Sequence, residues 1–178
     1  MASYPYRPFV LASAVLCVAI ILAHSARPTQ AGGVVTECTD AGLTHALAGG
    51  GTVTFDCPGS SPHTILIEGA KAISMPTRIV GDGVITLDGQ NITKFFAVAR
   101  GASLSLDGLT LTRGHTSVAS PGAVENWGWL EVDHCQIISN TASTWYGGGI
   151  GNYDGTVIIR RSLIGWNEAY YGGGGVDN

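Results

Sequence analysis

Gly122-Ala-Val-Glu-Asn126, Gly148-Gly-Ile-Gly-Asn152 and Gly174-Gly-Val-Asp-Asn178 recur at a spacing of 26 residues, each with an aliphatic residue two places before an asparagine. Three copies in register mark a repeat architecture, and the period then decides the fold. The similarity extends past each asparagine. Gly128-Trp-Leu-Glu-Val-Asp-His-Cys-Gln-Ile-Ile-Ser-Asn140 matches Gly155-Thr-Val-Ile-Ile-Arg-Arg-Ser-Leu-Ile-Gly-Trp-Asn167 once an extra residue near Tyr153 and Asp154 is allowed for. Upstream, Arg100-Gly-Ala-Ser-Leu-Ser-Leu-Asp-Gly108 aligns with residues 126–134 at 26, and Val84-Ile-Thr-Leu-Asp-Gly89 aligns with residues 103–108 at 19, which predicts a shorter coil before the longer ones.

Each unit contains short runs of alternating apolar and polar residues, such as Leu104 and Leu106, Leu109 and Leu111, and Leu130 and Val132, bounded by Gly, Asn or Asp. That is the pattern of short strands between tight corners. A unit of this size cannot fold alone, because each strand buries one face and leaves both edges unpaired. Stacking solves both problems at once: equivalent strands pair in parallel about 4.8 Å apart and their inward residues merge into one core. The expected fold is therefore all-β, a right-handed parallel β-helix (solenoid). Val98, Val124, Ile150 and Val176 are expected to form an internal aliphatic column, and Asn126, Asn152 and Asn178 a corner ladder. The glycines at 147–149 and 172–175 suit corners closed to bulky side chains.

Composition agrees with this class: 26 of 178 residues are Gly and only 22 are charged. The first 31 residues read differently. Residues 1–7 carry one positive charge, residues 9–23 are an apolar run, and residues 24–31 end in Thr29-Gln30-Ala31, the three-part layout of a secretory signal. Cleavage is expected after Ala31, with an uncleaved anchor as the alternative, although the apolar run is shorter than the roughly 20 residues a spanning helix needs. Cys17 lies inside that run after Leu16, a poor context for lipidation. The mature chain, residues 32–178, then carries seven basic and 13 acidic side chains, a formal charge of −6 that offers nothing to nucleic acid. No membrane span is expected in it.

Export makes a disulfide feasible, and Cys38 and Cys57 form the natural pair because they flank one short N-terminal unit. Cys135 is left as a small buried hydrophobe. Within residues 32–57, Thr39 or Asp40 is placed to cap a short helix whose Ala41, Leu43, Ala46 and Leu47 are apolar, with Gly49-Gly50-Gly51 as its stop. This helix is expected to lie over the first coil as a lid. Residues 58–178 would be the coils. The sequence closes on the asparagine column with the last coil incomplete, which predicts that residues 32–178 made alone associate end to end or aggregate.

Taken together, Ile85-Thr-Leu-Asp-Gly89, the segment Phe95-Phe-Ala-Val-Ala-Arg-Gly-Ala-Ser-Leu-Ser-Leu-Asp-Gly-Leu-Thr-Leu-Thr112, and the Gly-Gly-Gly-Ile-Gly-Asn units resemble bacterial surface proteins of the pectin-lyase-like fold. Within that fold they are similar to the polymorphic outer-membrane protein repeat and adhesin-like proteins, and the segment from Cys38 to Cys57 is similar to their N-terminal cap. The resemblance covers residues 36–178 and implies an exported, cell-surface or outer-membrane protein, adhesin-like and non-enzymatic. The fold itself hosts adhesins, lyases and spacers alike.

Two constellations are candidates for function. The first is a column of Asp88, Asp107, Asp133 and Arg160, with Gly89, Gly108, His134 and Arg161 beside it. Stacked carboxylates at Asp88, Asp107 and Asp133 suit Ca²⁺, and Asp107, Asp133 and Arg160 are the candidates for catalysis in a pectate-lyase-like polysaccharide lyase. Asp followed by Gly at a strand end is equally turn chemistry. The paired aspartates of a polygalacturonase-like hydrolase have no counterpart, and His45, His63, His115 and His134 are not at metal-ligand spacing. The second is aromatic: Trp127 with Tyr153, and Trp145-Tyr146 with Tyr170-Tyr171, fall at equivalent positions of the last coils, and Trp129 and Trp166 lie nearby. Such ladders either stiffen corners or present a binding face to carbohydrate or a surface protein.

Overall fold

In the computed structural model, which describes residues 32–178, the chain winds into a β-solenoid of about five turns. The expected signal peptide and cleavage site, and Cys17, lie outside the described residues. No helix among the described residues is long and apolar enough to cross a membrane.

Three faces build the solenoid. Face A stacks β1 (Val34–Val35), β2 (Gly51–Phe55), the first half of β5 (Thr77–Asp88), the first half of β7 (Ser103–Thr112), β10 (Trp129–Asp133) and β14 (Thr156–Arg160). Face B stacks β3 (His63–Leu66), the second halves of β5 and β7, β11 (Gln136–Ile138) and β15 (Leu163–Gly165). Face C stacks β4 (Lys71–Ile73), β6 (Phe96–Val98), β9 (Val124–Asn126), β13 (Ile150–Asn152) and β17 (Val176–Asp177). A minor ladder of β8 (His115–Thr116), β12 (Thr141–Ala142) and β16 (Glu168–Ala169) lies between B and C. Every strand pair is parallel.

The alternation seen in the sequence becomes aligned inward columns. Val53, Ile79, Leu106, Val132 and Ile159 stack on face A, and Ile65, Leu87, Leu111, Ile137 and Ile164 on face B. On face C, Lys71, Phe96, Val124, Ile150 and Val176 form one column. This corrects the expected aliphatic column by two residues at one place: Phe96, not Val98, sits over Val124, while Val98 lies between Ile73 and Asn126 in the asparagine column. Both are fully buried, so the alternation alone could not separate them.

A second correction concerns the upstream coil. The alignment of residues 84–89 with 103–108 at 19 does not hold: Ile85 pairs with Leu109 and Asp88 with Thr112. Strand β5 runs through the corner from face A to face B, and its register shifts between Val80 and Ile85. A bulge there adds residues to one strand without breaking the stack, and it displaces the Asp-Gly pair that the sequence presents as an equivalent.

The first coil is closed by the helix α1 (Asp40–Leu47), capped by Thr39, whose side chain accepts a hydrogen bond from the Gly42 amide at 3.1 Å. Leu43 and Ala46 are buried against the core, while Ala41, expected to be apolar contact, is exposed. The helix is held at its N-terminus by Asp40. Its carboxylate accepts from the Glu68 amide at 3.1 Å and pairs with Lys71 Nζ at 2.5 Å. Lys71 occupies the top of the face C column, so its aliphatic stem covers Phe96 while its ammonium reaches the helix.

Cys38 and Cys57 are bridged, with Cα atoms 5.6 Å apart, and Cys135 is free and buried. Burial pushes the Cys135 thiol up to about 11. Non-reducing peptide mapping should therefore recover the Cys38 and Cys57 peptides joined, with Cys135 unalkylated at pH 8 until the chain is unfolded. The bridge joins residues 19 apart in the sequence and stabilises by roughly 3 kcal/mol through the unfolded chain. Three free, rapidly alkylated thiols would contradict the pairing and the burial together.

At the other end the columns open. Ile159 and Val176 are partly exposed although they continue columns that are fully buried one coil earlier. Residues 32–178 made alone are expected to associate through this open last coil. Sedimentation velocity across a concentration series checks this. A monomer at all concentrations would contradict it.

Candidate functional site

The corner between faces A and B repeats in three coils, at Asp107-Gly108, Asp133-His134 and Arg160-Arg161. The second residue of each pair has positive φ: 63° at Gly108, 50° at His134 and 46° at Arg161. Asp107, Asp133 and Arg160 are aligned in adjacent strands as expected. Asp88 is not in this column. Val80 stands in its place, and Asp88 lies on face B next to Thr112.

Each carboxylate is occupied. Asp88, nearly buried, accepts from the Gln90 amide at 2.8 Å and from Arg113 Nε at 2.9 Å, with a second contact to the same guanidinium. Asp107 accepts from Arg78 Nη2 at 2.7 Å. Asp133 is gripped by both Nε and Nη2 of Arg161, which holds its carboxyl below the ordinary aspartate range. Arg160 turns instead to Glu131. His134 stands between the two aspartates, with Nδ1 3.4 Å from Asp133 and 3.7 Å from Asp107. Among the described residues no group of three or more His, Cys, Asp or Glu side chains is placed to hold a metal ion. The arginines supply the positive charge that a row of carboxylates requires.

The aromatic residues are assembled along face C. Trp127 and Tyr153 stack with centroids 4.8 Å apart at 34°, and the Arg100 guanidinium lies 4.7 Å above the Trp127 ring, steadied by Asp154 at 2.9 Å. On the other side of face C, Tyr146 stacks on Tyr171 at 5.5 Å, and Trp145 and Tyr170 meet these rings edge to face at 5.4 and 4.6 Å. Between the two sets, the outward column is Glu125, Gly151 and Asp177. The Tyr153 hydroxyl lies beside Gly151, where a Cβ would come within 2.9 Å of it. Burial raises its pKa; it has no hydrogen bond of good geometry, although the Trp145 side chain is close enough to interact. Trp127 Nε1 donates to Glu125 at 2.9 Å. Burial pushes the Glu125 carboxyl up, but hydrogen bonds from Lys94, Trp127 and Ser120 and the Lys94 charge outweigh it and leave the group below its ordinary value.

Tyr170 and Tyr171 are 68% and 51% exposed, and Tyr146 37%, whereas Trp127, Trp145 and Tyr153 are half-buried. The ladder thus has a stiff part and an open part. A further feature was not foreseen: a groove of about 270 Å³ on face A, where Arg78, Ser105 and Glu131 line its floor and Trp129 forms a wall. The alternation that makes these positions outward was readable, but which outward positions lie side by side depends on the β5 register. No known protein family, curated protein or solved structure matches the chain.

Proposed function

We propose that this is an exported, cell-surface or secreted β-solenoid of adhesin-like character that binds an extended ligand, carbohydrate or surface protein, rather than transforming one. The observation that carries this reading is a contrast. The carboxylates available for metal or acid chemistry are each engaged by an arginine, while Tyr146, Tyr170 and Tyr171 present their rings to solvent. Rings with exposed flat faces suit sugar rings, since they supply contact area with little conformational freedom to lose. The resemblance to polymorphic outer-membrane repeats and the signal-like leader support the same reading.

A titration of the purified chain with polygalacturonate and other polysaccharides, followed by tryptophan fluorescence, tests it. Binding is expected, weakened about tenfold by the double replacement Tyr170→Ala and Tyr171→Ala, because two lost rings at about 0.7 kcal/mol each come to about 1.4 kcal/mol. Incubation with polygalacturonate and Ca²⁺ should leave the ultraviolet absorbance flat. A steady rise, reporting the unsaturated product of a Ca²⁺-dependent lyase, would replace this reading by the enzymatic one.

A further inference from the structure

Away from the aromatic band, α1 and the first strand of face C stand apart and enclose a groove of about 540 Å³. One wall is a single stripe of α1: Asp40, Thr44, Leu47 and Ala48 have the spacing that places side chains on one helix face. The floor is the edge strand β4. It pairs only with β6, through bonds that use alternate residues: the Lys71 amide donates to the Phe95 carbonyl at 2.7 Å, and the Ile73 carbonyl accepts from the Ala99 amide at 2.9 Å. In a parallel ladder the residues between these turn both backbone groups the other way. Ala72 therefore offers its N–H and C=O to the groove. Ala70 and Ser74, at the same parity, make no backbone hydrogen bond among the described residues and extend that row.

We infer that this groove receives an extended peptide carrying a basic side chain, added to β4 as a further strand. The row of unpaired groups at every second residue is the template that strand addition uses. Helix α1, eight residues long, spans about 12 Å, which matches three to four extended residues at about 3.3 Å each. The charge of the groove selects the occupant. Lys71 is neutralised by Asp40, while Glu68 at the corner is exposed and forms no ion pair among the described residues. A Lys or Arg on the bound segment would meet it.

The test uses an acetylated, amide-capped heptapeptide of alternating Val and Thr with one central Lys, against the full chain. Binding is read by fluorescence anisotropy, and hydrogen exchange identifies the amides protected. The expected result is binding with new protection at Ala70, Ala72 and Ser74. Methylating alternate peptide nitrogens should weaken it at least tenfold. Ala72→Pro removes an N–H that the fold does not use, on an edge strand where Pro is tolerated, and should lower affinity at least tenfold with unchanged melting. Glu68→Lys should exchange preference from the Lys peptide to its Glu counterpart. The inference is overturned if no peptide binds, if protection falls on β14 to β17 instead, or if methylation or Ala72→Pro has no effect. It is also overturned if these amides are already protected in the free chain, since the groove would then be filled by residues preceding Gly32 or by a second copy.

Discussion

Replacing Ile150 by Asp is expected to abolish stable folding of the last coils, whereas the same replacement at Thr156 leaves the melt within about 0.5 kcal/mol of the parent. Ile150 is fully buried between Val124 and Val176, and its neighbours in the column are aliphatic. A carboxylate there has no donor to accept from, so it either ionises unpaired or folds protonated; both routes cost several kcal/mol. Thr156 pairs with Trp129 on the outward side of face A and is exposed. Urea titration by tryptophan fluorescence distinguishes the two, with Ile150→Val as a mild control at about 1 kcal/mol. Equal loss at both positions would mean that the facing of the strands is wrong.

Asn126→Leu is expected to destabilise by about 3 kcal/mol, although leucine resembles the residues above it in the column. Asn126 is fully buried, and its Nδ2 donates to Asn152 Oδ1 at 2.6 Å and to the Thr156 carbonyl at 3.1 Å, while its Oδ1 accepts from the Gly128 amide at 3.2 Å. One coil earlier the same place is held by Val98, and one before that by Ile73. The reason lies in the corner that follows. After Val98 the chain has four residues before β7 and closes its own turn, the Ala102 amide donating to the Ala99 carbonyl at 3.0 Å. After Asn126 only Trp127 and Gly128 precede β10, and the side-chain amide replaces the missing turn. Leucine leaves buried groups unpaired, each at about 1–3 kcal/mol. Chemical denaturation of Asn126→Leu and of Val98→Leu, the latter expected to lose under about 1.5 kcal/mol, checks the contrast. Equal, small losses would show that the ladder is ornamental to the corner.

The later coils were legible because their corners are polar and short: an asparagine that must complete a turn cannot drift, so Asn126, Asn152 and Asn178 mark the period directly. Asn140 and Asn167 do the same at the other corner, the Nδ2 of Asn140 donating to Asn167 Oδ1 at 2.9 Å. The earlier coils lack these markers. With Val98 and Ile73 in the column, the alternation Phe96, Val98 fits either of two registers, and the bulge in β5 moved Asp88 out of the carboxylate row. The aromatic pairs were readable from equivalence alone. What each carboxylate touches was not, because Arg78, Arg113 and Arg161 reach their partners from neighbouring coils. Lys71 was hidden for a related reason: a lysine at an inward position makes sense only when the helix above it supplies Asp40.

Because every ladder joins one coil to the next, tension applied at the two ends of the described chain loads the hydrogen bonds coil by coil instead of all together. The last coil, with Ile159 and Val176 partly open, is the natural place for the first to part. With 26 residues between successive asparagines, each parted coil should release about 90 Å of slack. The molecule would then pay out length in regular instalments, ending at the stretch that Cys38 and Cys57 hold shut. A single-molecule pulling trace with evenly spaced steps, the last of them shortened unless reductant is present, would be the signature of such a tether.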